Sequence, residues 1–174
     1  MKIALAADHR GFHAKGQLLL YLHGAGYQVR DYGATELKPC DYPDRALPAS
    51  LAVVRREAER AILIDGSGIG MSLVANKLPG IRAAVCHDEL TAEISRRYNN
   101  ANVLCLAADL LGEELIKRIT LTWLKTPFEE GRHTRRLAKI ARIEQQVFHS
   151  VDQITEALEA GLSEVATKPA AEAR

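Results

Sequence analysis

The segment from Ala61 to Lys77, AILIDGSGIGMSLVANK, constrains the fold of this chain more than any other. It opens with four apolar residues, rich in β-branched types, as in a buried strand. Asp65 follows, then a turn with three glycines at 66–70 and an apolar pattern of helical period. A strand, a tight turn and a helix predict one unit of a parallel α/β fold. Such a turn directs backbone N–H groups towards an anion or a developing oxyanion.

The spacing of the glycines leaves two interpretations of this turn open. It does not match the dinucleotide fingerprint G-x-G-x-x-G, since the third glycine would fall at Met71 or Leu73. It does not match the phosphate loop G-x-x-x-x-G-K-[ST] either. One interpretation is a structural turn that uses glycine for positive φ, with Asp65 as a helix cap. The other is an anion-binding cradle beside a functional carboxylate.

Strand and helix patterns alternate along the rest of the chain. Strands are predicted near 2–7, 27–32, 61–64, 81–86 and 101–106, and helices near 12–23, 44–57, 71–78, 89–98, 112–125 and 132–147. The alternation predicts a three-layer α/β/α Rossmann-like sandwich with a five-stranded parallel sheet, plus C-terminal helices. We expect residues 1–147 to form the functional domain. We expect 148–174 to be a helical extension with a disordered tail, and the helices after the fifth strand to contact a second subunit.

Composition excludes several classes of function. A chain of 174 residues with 47% hydrophobic and 26% charged residues is typical of one globular domain. Its net charge of +1 gives no field for nucleic acid or an anionic membrane. No apolar run has the length of a membrane span, and the N-terminus lacks a signal-peptide pattern. Three widely spaced cysteines indicate reduced thiols in a cytoplasmic protein and no metal site.

Polar residues recur where the predicted strands end. Asp8-His9 follows the first strand, Asp65 the third and His87-Asp88 the fourth, while 99–102 lies beside the fifth. Each has an ordinary explanation taken alone; Asp8, for example, fits a helix cap. Since ligands of open α/β sheets bind outside the carboxyl ends of the strands, the recurrence predicts one site there, with 99–102 included.

A basic cluster at 132–136, RHTRR, forms a second constellation. Arg132 and Arg136 are four residues apart and share one face of the predicted helix. Two guanidinium groups at a helix N-terminus match a phosphate dianion. The alternative is a solvated basic patch balanced by Glu129 and Glu130.

Seven motifs, spread in order over about residues 1–145, resemble the ribose-5-phosphate isomerase B family, which includes the galactose-6-phosphate isomerase subunits. They are Asp8-His9-x-Gly11-Phe12, Asp41-Tyr42-Pro43, Gly66-Ser67-Gly68-Ile69-Gly70, Ala75-Asn76-Lys77, Gly80-Ile81-Arg82-Ala83, Asn99-Asn100-x-Asn102 and Gly131-Arg132-His133-x-x-Arg136. The resemblance implies an aldose–ketose isomerase of sugar phosphates that works through a cis-enediolate, without metal or cofactor. It also implies a homodimer or homotetramer with active sites shared between subunits, and no nucleic-acid or membrane partner.

The resemblance also assigns roles to residues of this chain. Asp65 would move the proton, and Ser67, Gly68 and Gly70 would form the anion hole, with Asn99 helping to hold the oxyanion. Asp8 and His9 would bind sugar hydroxyls, and Tyr42 and Gly66 would also contact the substrate. Arg132 and Arg136 of the partner chain would bind the phosphate, with His133 close by. Tyr98, His9 and Ser67 are further catalytic candidates, with His9 or His133 as the acid for ring opening.

Two departures from the family pattern bear on the reaction. Members of the family use a cysteine at the position of Asp65, or a glutamate six residues later, where this chain has Met71. Either Asp65 replaces the usual catalytic base, which is the interpretation we prefer, or this chain has lost that base. A histidine that opens the sugar ring is replaced by Tyr98, and a phenol exchanges protons less readily at neutral pH than an imidazole.

The default substrate pair is ribose 5-phosphate and ribulose 5-phosphate, in the pentose phosphate pathway. One alternative is an open-chain tetrose or a hexose phosphate, and another is a catalytically silent sugar-phosphate-binding subunit. A nucleotide-binding flavodoxin-like module comes third, because the fingerprint and the phosphate-loop lysine are missing.

Overall fold

The computed structural model describes residues 1–147, so the predicted extension and tail at 148–174 lie outside the described residues. The chain divides into two compact units, Met1–His133 and Thr134–Arg174. The first unit holds the whole sheet. In the second, residues 134–147 are helical, as the sequence predicts. No helix in the described part of the chain is long and apolar enough to span a membrane.

The strands of the described residues are β1 Lys2–Ala7, β2 Gln28–Asp31, β3 Arg60–Asp65, β4 Ala83–Val85 and β5 Val103–Ala107. They form one sheet in the order β2-β1-β3-β5-β4, and every neighbouring pair is parallel. The predicted α/β fold with a five-stranded parallel sheet is therefore confirmed. Apart from exposed Lys2 and half-buried Arg60 at their starts, β1, β3 and β5 are buried throughout, as expected for strands covered on both faces. The central strand is β3, which ends at Asp65.

Helices cover both faces of the sheet and enclose two apolar clusters. One cluster packs α1, α4 and α5 on one face, around Leu18, Leu104 and Trp123. The other packs α2 and α3 on the opposite face, around Ala49, Leu63 and Met71. The helices of the first unit are α1 Phe12–Gly24, α2 Pro43–Val54, α3 Ile69–Ala75, α4 Glu89–Arg97 and α5 Glu113–Lys125.

Local chemistry explains where several helices begin. Pro43 occupies the first turn of α2, where its missing N–H costs no hydrogen bond. Gly68 precedes α3 with φ of 78°, the left-handed conformation that the sequence assigns to a glycine of this turn. Asp88 caps α4 through the backbone N–H of Thr91, and hydrogen bonds from Thr91 lower the pKa of that carboxyl. Asp88 therefore has a structural role.

Candidate active site

An open depression of about 370 Å³ lies at the carboxyl ends of β1, β3 and β5. Six residues that the sequence singles out meet there: Asp8, Tyr42, Asp65, Gly66, Ser67 and Gly70. Three residues that the sequence does not single out complete the lining: Arg10, Asp109 and Leu110. A surface depression of the first unit therefore lies where the sequence predicts the site, at the end of the central strand.

The buried carboxylate of Asp65 binds the backbone of its own glycine turn. Its Oδ1 accepts hydrogen bonds from the N–H groups of Ser67, at 2.8 Å, and Gly68. Its Oδ2 accepts a third from the N–H of Met71, at 3.0 Å. Oδ2 accepts only this one hydrogen bond from the described residues, so it keeps a lone pair beside the depression.

These hydrogen bonds change the expected role of the loop. The sequence assigns the N–H groups of Ser67, Gly68 and Gly70 to an oxyanion hole. Two of the three already donate to Asp65, so in this conformation they are not available to a substrate oxygen, and the assignment of the loop to an oxyanion hole stays a prediction. The interpretation of Asp65 as a cap of the turn is correct, and its function as a base stays a prediction.

Asp8 forms hydrogen bonds within the turn before α1, whose N-cap is Gly11, and it also lines the depression. Its Oδ1 accepts the N–H of Arg10 at 2.9 Å and of Gly11 at 3.0 Å. These bonds join the end of β1 to the start of α1. The Asp8 side chain is 5% exposed and borders the depression, so it lies within reach of a ligand there.

His9 and Tyr42 lie in different surroundings. The Nδ1 of His9 is 3.3 Å from both the backbone N and the backbone O of Cys40, and His9 is not part of the lining. Tyr42 borders the depression, and its ring lies against Gly70, where an added Cβ would be 3.0 Å from the ring. A glycine at 70 therefore lets Tyr42 cover the loop.

An ion pair that no sequence pattern indicates crosses the edge of the depression. Arg10 approaches Oδ2 of Asp109 with Nε at 2.7 Å and Nη2 at 2.5 Å. The pair rests on Gly66, where an added Cβ would lie 2.4 Å from Asp109 Oδ2 and 2.7 Å from Arg10 Nε. Asp109 raises the pKa of Arg10. The two residues are far apart in the chain, so no short sequence pattern joins them. The sequence pointed to Arg10 only as the unspecified residue x of the motif Asp8-His9-x-Gly11-Phe12.

Tyr98 and His133 form a second cluster in the first unit. Their rings stack with centroids 4.6 Å apart and planes 11° apart. His133 is 3% exposed and accepts a hydrogen bond at Nε2 from Arg132 Nε at 3.4 Å. Arg97 Nε donates to Glu129 at 2.7 Å and ties α4 to the segment before His133.

This second cluster lies at the other edge of the sheet. Tyr98 and 99–102 lead into β5 at its amino end, whereas Asp65 ends β3. The register pairs Ala61 with Val103 and Asp65 with Ala107, so the two ends are four residues apart, about 13 Å at about 3.3 Å per residue. The expectation that 99–102 joins the Asp65 edge within one chain is therefore wrong.

The remaining predicted site residues are partly structural. Asn102 Oδ1 accepts the N–H of Arg82 at 2.8 Å, and Asn100 Oδ1 accepts a hydrogen bond from Arg96 at 2.8 Å. Asn99 and Arg132 are exposed at this edge. Arg136 is exposed in the second unit.

The charge of the depression restricts what it can bind. Three carboxylates, Asp8, Asp65 and Asp109, line it against the single guanidinium of Arg10. A phosphate dianion would be repelled there, whereas hydroxyl groups and a carbonyl would find acceptors and a donor. Within residues 1–147, no three His, Cys, Asp or Glu side chains are grouped to hold a metal ion.

Comparisons with known proteins cover most of the chain. A family model described as Ribose/Galactose Isomerase matches residues 3–140. Ribose-5-phosphate isomerase B of Escherichia coli (strain K12) is 41% identical over 145 residues, 83% of this chain and 97% of that protein. D-erythrulose-4-phosphate isomerase of Pectobacterium atrosepticum is 40% identical over 151 residues, 86% of this chain and 99% of that protein.

A solved structure agrees with the fold. It is ribose-5-phosphate isomerase B from Mycoplasma genitalium with bound ribulose-5-phosphate, 36% identical to this chain with a TM-score of 0.81. The match covers 83% of this chain and 96% of that one. The sheet that carries the depression is therefore shared with a protein whose bound ligand is a sugar phosphate.

Proposed function

This chain belongs to the ribose/galactose isomerase family of sugar-phosphate isomerases, and we propose that it interconverts ribose 5-phosphate and ribulose 5-phosphate with Asp65 as the base. One observation carries the assignment of the base. Oδ2 of Asp65, at the end of the central strand, keeps a lone pair beside a depression lined by hydroxyl-binding groups. We also propose that the reaction belongs to the pentose phosphate pathway and that the protein works in the cytoplasm.

The reaction needs only a base and polar contacts. Oδ2 of Asp65 takes the proton from C2 of the open-chain aldose, and the electrons of the C2–H bond form the C1=C2 bond. The electrons of the carbonyl π bond move to O1, which gives the enediolate. A proton passes from O2 to O1, C2=O forms, and Asp65 returns its proton to C1. No atom or electron is gained or lost overall.

The side chains around Asp65 support this geometry. The Oγ of Ser67 accepts the N–H of Ile69 at 3.2 Å, which leaves its O–H to donate to a sugar oxygen. Asp8 and Tyr42 flank the same depression and can bind sugar hydroxyl groups. We propose that His9, which lies beside Cys40, also binds the sugar.

We propose that the phosphate binds to a second copy of the chain. The acidic depression disfavours a dianion, and the basic residues Arg132 and His133 lie at the opposite edge of the sheet. Two chains related by a two-fold axis can bring one chain's basic edge to the other's depression. Ile69 and Leu73 of α3, beside the glycine turn, are 56% and 59% exposed, which suits a subunit contact.

In such a homodimer or homotetramer, Arg132 and Arg136 would bind the phosphate, and Asn99 would approach the sugar. Tyr98 stacks on His133. We propose that Tyr98 donates a hydrogen bond to the ring oxygen of the sugar, and that His133 or His9 is the acid for ring opening.

The test measures turnover of ribose 5-phosphate by the intact protein and by Asp65→Asn, with a ketose-specific assay that detects the product. We expect activity in the intact protein and a loss of about 10² to 10⁴-fold in the variant, the share typical of general-base catalysis. Equal rates would remove Asp65 from the mechanism.

Other substrates and a second function remain as candidates. If ribose 5-phosphate is not turned over, erythrose 4-phosphate and erythrulose 4-phosphate are the next pair, because a relative named for such a tetrulose phosphate is nearly as similar as the pentose enzyme. A catalytically silent sugar-phosphate-binding subunit is favoured by the Asp65 hydrogen bonds, which occupy the amides of the loop. Thermal stabilisation by sugar phosphates without turnover would indicate that second function.

A further inference from the structure

We propose that Arg10 is a catalytic residue whose guanidinium stabilises the negative charge on the enediolate oxygen. This role rests on the proposed aldose–ketose isomerisation and deepens it. It answers a problem that the structure poses, since Asp65 already occupies the N–H groups of Ser67 and Gly68. The enediolate oxygen therefore loses these two donors, and a charged donor beside them would compensate for the loss.

Arg10 is the single positively charged side chain that lines the depression within the described residues. Its side chain is 56% exposed, and the Gly66 backbone on which it rests directly follows Asp65. Its Nε and Nη2 are directed at Asp109. Within residues 1–147, Nη1 has no acceptor and can donate to an oxygen in the depression.

Asp109 fixes the position of this guanidinium. Both contacts converge on the same oxygen, Oδ2, at 2.7 and 2.5 Å. The backbone of Asp109 is itself held, because its N–H donates to the carbonyl of Gly66 at 3.1 Å. Arg10 is anchored through its own N–H, which donates to Asp8 at 2.9 Å. A donor held in this way loses little orientational freedom when charge develops.

The charge balance favours a cation at this point in the reaction. Before proton transfer Asp65 is anionic and the substrate carbonyl is neutral. Afterwards the proton lies on Asp65 and the negative charge on O1, so one charge has moved from the carboxylate to the substrate. Arg10 gains attraction as that charge reaches O1, and Asp109 keeps the cation in place through their ion pair. Asp109 is thus a positioning residue.

The experiment compares Arg10→Gln and Arg10→Lys with a matched control, Arg118→Gln. Arg118 donates from Nε to Glu89 at 2.6 Å, its side chain is 62% exposed, and it joins α4 to α5 away from the depression. We expect Arg10→Gln to lose about 10² to 10³-fold in kcat, as for loss of an oxyanion donor, with KM changed less than about threefold. Arg10→Lys should recover part of the loss, and Arg118→Gln should match the parent protein.

Asp109→Asn tests the positioning role, because it keeps the shape and removes the charge that orients Arg10. We expect a fall in kcat of about tenfold, with no further loss when it is combined with Arg10→Gln, since both act through one guanidinium. An additive loss in the double variant would show that Asp109 acts independently.

A binding measurement separates this proposal from the proposed function. The probe is a phosphorylated four-carbon aldonohydroxamate, whose planar hydroxamate imitates the enediolate; its affinity is measured by calorimetry. Arg10→Gln should bind it about 10²-fold more weakly than the parent protein, while Arg118→Gln binds it normally. Unchanged affinity or unchanged kcat in Arg10→Gln overturns the role of Arg10. A parent protein without turnover would refute the proposed function, and the hydroxamate affinities would still decide for or against Arg10.

Discussion

Gly11 lies where the first helix meets the central strand, and replacing it with alanine should be costly. A Cβ at this position would stand 2.4 Å from the carbonyl oxygen of Ile64 and 2.9 Å from the Cβ of Ala7. Ordinary contact begins near 3.4 Å, so α1 would have to move by about 1 Å. The nearest partner atom belongs to the backbone of the central strand, which cannot yield.

The expected loss of stability has two parts. Overpacking in a rigid interior costs about 1–3 kcal/mol. The movement would also lengthen the hydrogen bonds from the N–H groups of Arg10 and Gly11 to Asp8, and losing a hydrogen bond of this kind costs about 0.5–1.5 kcal/mol. We therefore expect Gly11→Ala to lower the free energy of unfolding by about 3 kcal/mol, or Tm by about 6–12 °C at equal protein concentration.

Urea unfolding followed by circular dichroism measures this, with Gly16→Ala as the control in the same helix. An added Cβ at Gly16 meets no atom within 4 Å, and alanine is a better helix former, so the control should gain about 0.5–1 kcal/mol. Opposite signs for the two variants are the expected result. If Gly11→Ala were within about 1 kcal/mol of the parent protein, the close approach of α1 to β3 would not be what requires glycine.

Three further predictions concern buried groups. Asp65→Asn should lower stability by about 2 kcal/mol in urea unfolding, because the amide N–H₂ cannot accept the N–H of Met71; unchanged stability would mean that this hydrogen bond contributes nothing. In native protein a thiol reagent should label only Cys40, since Cys86 and Cys105 are 1% and 0% exposed and burial raises the pKa of both. Because burial raises these two thiol pKa values only in the folded protein, the free energy of unfolding should fall as the pH rises above the ordinary thiol value of 9.0, where only the unfolded chain loses these protons. Rapid labelling of all three thiols in the native protein would contradict the burial on which both thiol predictions depend.

The order of strands and helices could be predicted from the sequence because residue patterns within a few positions determine it. Apolar runs ending at Ala7 and Asp65 became strands, and Pro43 and Asp88 mark helix starts through backbone chemistry within a few residues. The convergence of Asp8 and Asp65 followed too, since all strands of a parallel sheet end at the same edge. These predictions needed no knowledge of distant contacts.

Only the tertiary structure decided which polar groups meet. Arg10 and Asp109 are brought together by β1, β3 and β5 lying side by side, and no short-range pattern specifies that order. The placement of Tyr98 at the amino edge depends on α4 running back across the sheet.

The hydrogen bonds of Asp65 depend in the same way on the turn's final geometry. From sequence, a carboxylate before three glycines is equally a cap or a base beside an oxyanion hole, because both use the same N–H groups. Residue types and spacing determined the family, the fold and the edge of the sheet where we propose that the chemistry takes place. Folding decided which N–H groups and charges are available there, because those depend on distances between residues far apart in the chain.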